Sequence, residues 1–450
     1  MEVLIYAGQL ILGLSILVAL HEFGHFLPAK LFGMRVEKFF LFFDWPRALF
    51  RKKIGDTVYG VGALPFGGYV KIAGMVDESL DAEQKERMQR PPEPWEFRAK
   101  PVWQRLIVMV GGVTVNVLLA FAIYAMVLFV WGREYLPVKN LTYGVTPSAL
   151  MQGEGFRDGD KILDVGGHEP KTLGDLSLAI LIDGAREVTV EREDAEGNVE
   201  KKRIELSADI QERILESNDK QLFSPRFPFF VDSVLAGNNA AKTGSFRKGD
   251  RIIAVNGQPA RYFQDFVEAV KNKRGQMVEV TLLREGHQVN IPVEVGEDGI
   301  VGLQPRSPAE YFTFETESYG LLASIPAGIK FGWQRLMDNI NSFKLLGSKA
   351  GMKQMGGLIA MSKAYGPQWV WQRFWEMTAF LSLALAVLNI LPIPALDGGH
   401  VVFLLYEAVA RKPAPAKVLE YAQMAGMAFL LTLILAVNGH DIIKLFTGNL

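Results

Sequence analysis

The sequence predicts a multi-pass α-helical membrane protein with about four transmembrane helices, a small membrane-associated β-sheet and two inserted α+β domains. Three observations predict it. Four apolar stretches, at residues 3–20, 106–131, 377–396 and 418–437, approach the ~20 residues that a spanning helix needs. A stretch between the first two alternates β-branched and aromatic residues with turn residues. The long charged segment between the second and third contains an internal repeat. Composition fits this mixture: 49% of the 450 residues are hydrophobic and 22% charged, with a mean hydropathy of +0.14. A net charge of −1 offers no basic footprint for nucleic acid, so no nucleic-acid partner is expected. The chain has no cysteine, which excludes disulfides and thiolate metal sites.

Residues 1–32 form the first span. Met1-Glu2-Val3 supplies no positive n-region, and no small-residue cleavage site follows, so the stretch reads as a mature membrane helix. It runs into His21-Glu22-Phe23-Gly24-His25, an HExxH pattern. On a helix, residues four apart share a face, so His21 and His25 can grip one zinc ion. Glu22 lies next to the metal and off the ligand positions, which suits a general base. A charged residue bordering an apolar helix is costly and marks function by default.

Residues 33–104 read as a membrane-associated sheet and loop. Val36 to Phe43 and Val58 to Val61 are strand-like, punctuated by Gly55-Asp56 and by Pro65 to Gly68. The polar insert at 77–94, ending in Pro91, Pro92 and Pro94, reads as a loop or short helix. Residues 105–132 form the second span.

Within the long segment, Phe156 to Gly167 recurs as Phe246 to Gly257, each copy followed by a helical pattern and a hairpin. These copies resemble PDZ domains, placed at 133–210 and 220–298. Such domains receive an extended peptide on a sheet edge, so peptide ligands are expected partners. Residues 318–375 are amphipathic, with Lys330, Arg335, Lys344, Lys349 and Lys353 among apolar residues, as in interfacial helices.

The third span, 376–398, ends in Asn389-Ile-Leu-Pro392-Ile-Pro394-Ala-Leu-Asp397-Gly398. Pro392 and Pro394 break the helix open, and Asp397 is a lone acid at its end. A fourth span follows at 416–440. Lys and Arg crowd the loops after the first helix and between the third and fourth. These loops are expected on the cytoplasmic side by the positive-inside rule, with both termini and the long segment opposite. The His21 and Asp397 ends then lie on one side, and Asp397 is the outstanding candidate for the third ligand that a catalytic zinc site needs.

Taken together, these residues resemble the site-2 proteases, a family of intramembrane zinc metalloproteases. The resemblance covers nearly the whole chain. It rests on HExxH at His21 to His25, on Gly67-Gly68-Tyr69-Val70-Lys71, on Gly112 to Asn116, on the two PDZ-like domains and on Asn389 to Gly398. Val113 departs from it, standing where relatives often have Pro. The resemblance implies Zn2+ as cofactor, His21, His25 and Asp397 as its ligands, and Glu22 as the base. Asn389 would hydrogen-bond an unwound substrate backbone, while Gly67, Gly68, Tyr69, Val70 and Lys71 clamp it as an added strand. His400, one turn past Asp397, would support the metal site from behind or, the favoured reading, serve a structural or interfacial role. It implies residence in the lipid bilayer of a bacterial cytoplasmic (inner) membrane. The expected substrates are single-span membrane proteins, an anti-sigma factor or remnant signal peptides, cut after their outer domain has been trimmed. The PDZ domains would gate access. A membrane scaffold has no need of the HExxH and Asp397 set, and a zinc transporter has no use for Glu22 or two peptide-binding modules.

Overall fold

The first apolar stretch forms one helix, Glu2–Leu31, so the HExxH residues lie inside a helix already established by the apolar run. The computed structural model describes residues 2–75, 90–194, 196–217, 221–235, 237–345 and 357–447. The insert at 77–94 therefore falls outside the described residues, apart from 90–94. Among the described residues, four helices are long and apolar enough to cross a membrane: Leu4–Leu31, Val102–Val130, Trp371–Ile390 and Lys417–Gly439. The chain divides into two units, residues 1–132 with 318–445, and residues 133–317.

In the first unit, strand β1 (Val36–Ile54) pairs with β2 (Thr57–Ile72). The turn between them falls at Gly55, whose φ of +59° suits glycine. The pairing folds back on itself. Ala48 to Ile54 closes a hairpin onto Thr57 to Gly62, and Leu41 meets Gly68 on one side and Val61 on the other. Gly68 to Ile72 thus has β1 on one edge and no strand on the other among the described residues.

The first and second membrane helices touch at their backbones. A Cβ on Gly111 would lie 2.1 Å from the carbonyl oxygen of Gly24, a distance only glycine permits. An apolar cluster of Ala29, Met34, Val36, Ile72, Phe97, Val108, Met109 and Leu404 joins both helices to the sheet. Among the described residues, the amphipathic region contains the helices Leu321–Leu345 and Leu358–Ala364, and the expected Lys349 and Lys353 lie outside the described residues. One face of the longer helix packs on the second membrane helix, where Gly328 and Gly332 lie against Ala125 and Phe121. Its other face leaves Leu322 and Trp333 exposed.

The third membrane helix begins at Trp371 and ends at Ile390, rather than running from 376 to 398. Pro392 and Pro394 each lack an N–H, and a proline ring crowds the preceding turn, so the helix stops. Ala395 takes a left-handed φ of +78°. Asp397 is therefore the first residue of a separate helix, Asp397–Ala410. The last helix, Ala416–Thr447, extends past the expected 440.

The second unit holds two α+β modules, each around its own apolar core. The repeat is physical as well as textual. Gly159 and Gly249 adopt φ of +91° and +94°, and each donates its N–H to a strand carbonyl, of Val145 and Val231, at 2.8 Å. The buried Asp160 and Asp250 that follow accept from the main chain of Arg157 and Arg247, and each is gripped by a hairpin arginine, Arg192 or Arg284. Gly166 and Asn256 both sit at positive φ, which glycine and asparagine tolerate, so the Gly-for-Asn difference leaves the turn intact. Phe223–Pro225 pairs with Val145–Pro147, and Leu303–Pro305 with Val231–Val234. The first module thus takes a strand from beyond residue 210, and the second from beyond 298.

Candidate metal centre and cleft

Two elements far apart in sequence deliver three ligand atoms to one point. The first membrane helix supplies His21 and His25 on one face. The broken segment after Ile390 supplies Asp397 at the start of its new helix. His21 Nε2 lies 3.2 Å from Asp397 Oδ2, His25 Nε2 lies 3.4 Å from the same oxygen, and the two Nε2 atoms are 3.3 Å apart. These side chains are largely buried.

This triangle fits zinc. Ligands about 2.0–2.1 Å from a tetrahedral Zn2+ lie about 3.3 Å from one another, the spacing of these three atoms. Asp397 Oδ2 is buried and has no hydrogen-bond partner, so it is an acceptor aimed at the centre of the triangle. The donor set is two imidazole nitrogens and a carboxylate oxygen, which leaves a fourth position for water or substrate. Among the described residues, these three are the group of His, Asp and Glu side chains able to share one ion.

His25 Nδ1 lies 2.8 Å from the main-chain oxygen of Val108. That oxygen can only accept, so Nδ1 carries the proton and Nε2 keeps its lone pair for the metal. Asn389 Nδ2 lies 3.3 Å from His21 Nε2, at the rim of the triangle.

A cavity of about 670 Å³ opens onto the site. Glu22 lines it beside His21 and His25, with Gly67, Gly68, Tyr69, Val70 and Lys71 along one wall and Asn389 and Asp397 on another. All ten residues singled out by the sequence thus meet in one place. Gly68 is pressed against the first helix: a Cβ there would lie 2.7 Å from Val18 and 3.4 Å from Glu22. His400 also lines the cavity, with its Nε2 3.4 Å from Gln423 of the last helix.

Two site neighbours carry weaker signals in the sequence. Gly112 faces both imidazoles, and Asn116 reaches His21. Both lie in the Gly112 to Asn116 stretch on which the resemblance partly rests, but nothing in the sequence ties either to the histidines.

Four helices long and apolar enough to cross a membrane, a buried His-His-Asp group spaced as zinc ligands are, and a cleft lined by a further carboxylate are together consistent with a metallohydrolase of the membrane. The chain belongs to peptidase family M50, the site-2 protease family, whose model matches residues 9–433; it is a zinc metalloprotease, with zinc as cofactor. It is similar to the regulator of sigma E protease of Haemophilus influenzae, at 29% identity over 97% of this chain and 98% of the relative. The protease RseP of Yersinia pestis is 28% identical over 96% of this chain and 97% of its own. A Vibrio cholerae protein that bears zinc metalloprotease as a provisional name is 28% identical over 97% and 98%.

Proposed function

We propose that this chain hydrolyses a peptide bond within the transmembrane segment of single-span membrane proteins, using His21, His25 and Asp397 as zinc ligands and Glu22 as base. The observation that carries the reading is the convergence of three ligand atoms at 3.2–3.4 Å in a cavity that also holds Glu22 and a strand edge that pairs with no further strand among the described residues.

Zinc bound here supplies Lewis-acid chemistry, polarising a carbonyl and making water acidic near neutral pH. The Glu22 carboxylate takes a proton from the attacking water and passes it to the leaving amine nitrogen. A transmembrane helix hides its carbonyls in its own hydrogen bonds. The Gly68 to Ile72 edge offers replacement partners, so substrate enters as an added strand with its helix opened. Asn389 then hydrogen-bonds the opened backbone beside the site.

The relatives named for sigma E regulation support an anti-sigma factor, or a remnant signal peptide, as substrate in a bacterial inner membrane. The two modules fit PDZ domains that gate access after an outer trimming step. The lysine- and arginine-rich loops favour an active site near the cytoplasmic face, with the modules and both termini opposite.

The test is cleavage of a membrane-anchored single-span reporter by wild type and by Glu22→Gln, with the cut site located by mass spectrometry. Cleavage inside the span by wild type alone is expected. Equal cleavage by both, or none by wild type with zinc bound and substrate trimmed, would falsify the reading.

A further inference from the structure

The second membrane helix presents one face to both imidazoles. Val108, Gly112 and Asn116 follow one another at four-residue steps, so they stack along one side of the helix. Val108 provides the carbonyl that holds His25 Nδ1 at 2.8 Å. Gly112 provides space: a Cβ there would lie 2.4 Å from His25 Nε2 and 2.6 Å from His21 Cε1. Asn116 is fully buried, and its side-chain amide lies 3.1 Å from His21 Nδ1.

Two amides thus face the His21 ring, Asn116 at Nδ1 and Asn389 at Nε2, each placed with its NH2 group toward the ring. A neutral imidazole has one N–H and one lone pair, so it cannot accept from both. The oxygen and nitrogen of an amide exchange places by a half turn, and the hydrogen-bond network decides between them. Nε2 is the atom directed at Asp397 and His25, so its lone pair belongs to the metal. The ring proton then sits on Nδ1, which needs an acceptor. Asn116 Oδ1 is buried without a hydrogen-bond partner. Turned by half a turn, it meets that proton. Asn116 is held in place from behind, because its main-chain oxygen accepts from Ser382 Oγ of the third membrane helix at 2.7 Å.

We propose that Asn116 is the positioning residue of His21: its amide oxygen accepts from Nδ1–H, fixes the tautomer and leaves Nε2 free for zinc. The second helix would then orient both histidines, His25 through a main-chain carbonyl and His21 through a side chain. The inference rests on His21 being a zinc ligand.

The experiment measures zinc affinity of the purified full chain by competition with a chelator, for wild type, Asn116→Leu, Asn116→Asp, His21→Ala and Asp397→Asn. Asn116→Leu keeps the size and loses the acceptor, and is expected to bind zinc about 10–100-fold more weakly. Asn116→Asp keeps the acceptor and is expected to bind at least as tightly as wild type. A merely packing role would make the two substitutions alike in effect, since both keep the size. The proposal is overturned if Asn116→Leu binds within threefold of wild type, or if Asn116→Asp loses tenfold or more. The second criterion decides the matter alone if the leucine variant does not fold. If His21→Ala and Asp397→Asn keep their zinc, the ligand assignment itself has failed. If they lose it while Asn116→Leu does not, only the role of Asn116 has.

Discussion

Arg105 donates to both carboxylate oxygens of Glu407, at 2.9 and 2.6 Å, and so fastens the start of the second membrane helix to the helix that Asp397 begins. Both side chains are mostly buried. Removing one partner of a buried pair leaves the other charge without compensation, at a cost of about 3–5 kcal/mol. Arg105→Met is therefore expected to lower the unfolding temperature of the detergent-solubilised protein and to speed zinc loss, because Asp397 is held by that helix. The double variant Arg105→Met, Glu407→Leu is expected to recover much of the loss. A double variant as unstable as the single one would show that the pair is not what holds the two helices.

Gly112 leaves no room for a side chain beside His21 and His25, since even a methyl group would lie 2.4 Å from His25 Nε2. The neighbouring atoms are ring atoms fixed on the first helix, not a flexible chain end that can swing away. Gly112→Ala is expected to reduce bound zinc and proteolysis together, by tenfold or more. Zinc content by mass spectrometry checks it. Full occupancy in the variant would mean that the helices separate freely at this crossing.

The candidate site residues were legible because their types are costly or special where they stand. HExxH in an apolar helix, a lone Asp397 after two prolines and a glycine-punctuated sheet each announce themselves locally. The partnerships were not legible. The apolar run at 106–131 announces a spanning helix, but not that Gly111 meets Gly24 or that Ser382 holds Asn116. The helix break was expected at Pro392 and Pro394, yet the start of a new helix at Asp397 depends on glycines packing under the loop. Gly398 lies against Leu391 and Gly399 against Ile393, contacts that follow from the folded loop alone.

The repeated aspartate of the two modules makes a graded comparison possible. Asp160 grips Arg192 where the arginine side chain is 7% exposed, whereas Arg284 on Asp250 is 20% exposed. Water screens and replaces an ion pair more easily as exposure rises. Asp160→Asn is thus expected to cost more than Asp250→Asn, by about 3–5 kcal/mol for the first and less for the second. The pairs lie in separate cores and share no partner, so the effects should add to within about 0.5 kcal/mol. Denaturant unfolding of the single and double variants, followed by limited proteolysis of residues 133–317, measures this. An equal cost, or a double variant no worse than Asp160→Asn, would contradict it.

The strand edge makes the sharpest separation between holding zinc and handling substrate. Val70 turns its main-chain N–H toward Glu22 and the cavity, away from β1. Proline lacks that N–H and is tolerated on an edge strand, where no ladder bond is lost. Val70→Pro therefore removes the donor that faces Glu22 and that an added strand would use, and leaves the metal ligands in place. It is expected to lower cleavage of a transmembrane substrate by tenfold or more while zinc content stays at the wild-type level. Val70→Ala, which keeps the N–H, is expected to remain within a few-fold of wild type. Equal damage from both substitutions would assign the effect to the side chain. An undiminished rate in Val70→Pro would mean that substrate reaches Glu22 without pairing to this edge. The edge then serves only to cover the site, and the opening of the substrate helix has to be driven by the Asn389 side of the cleft.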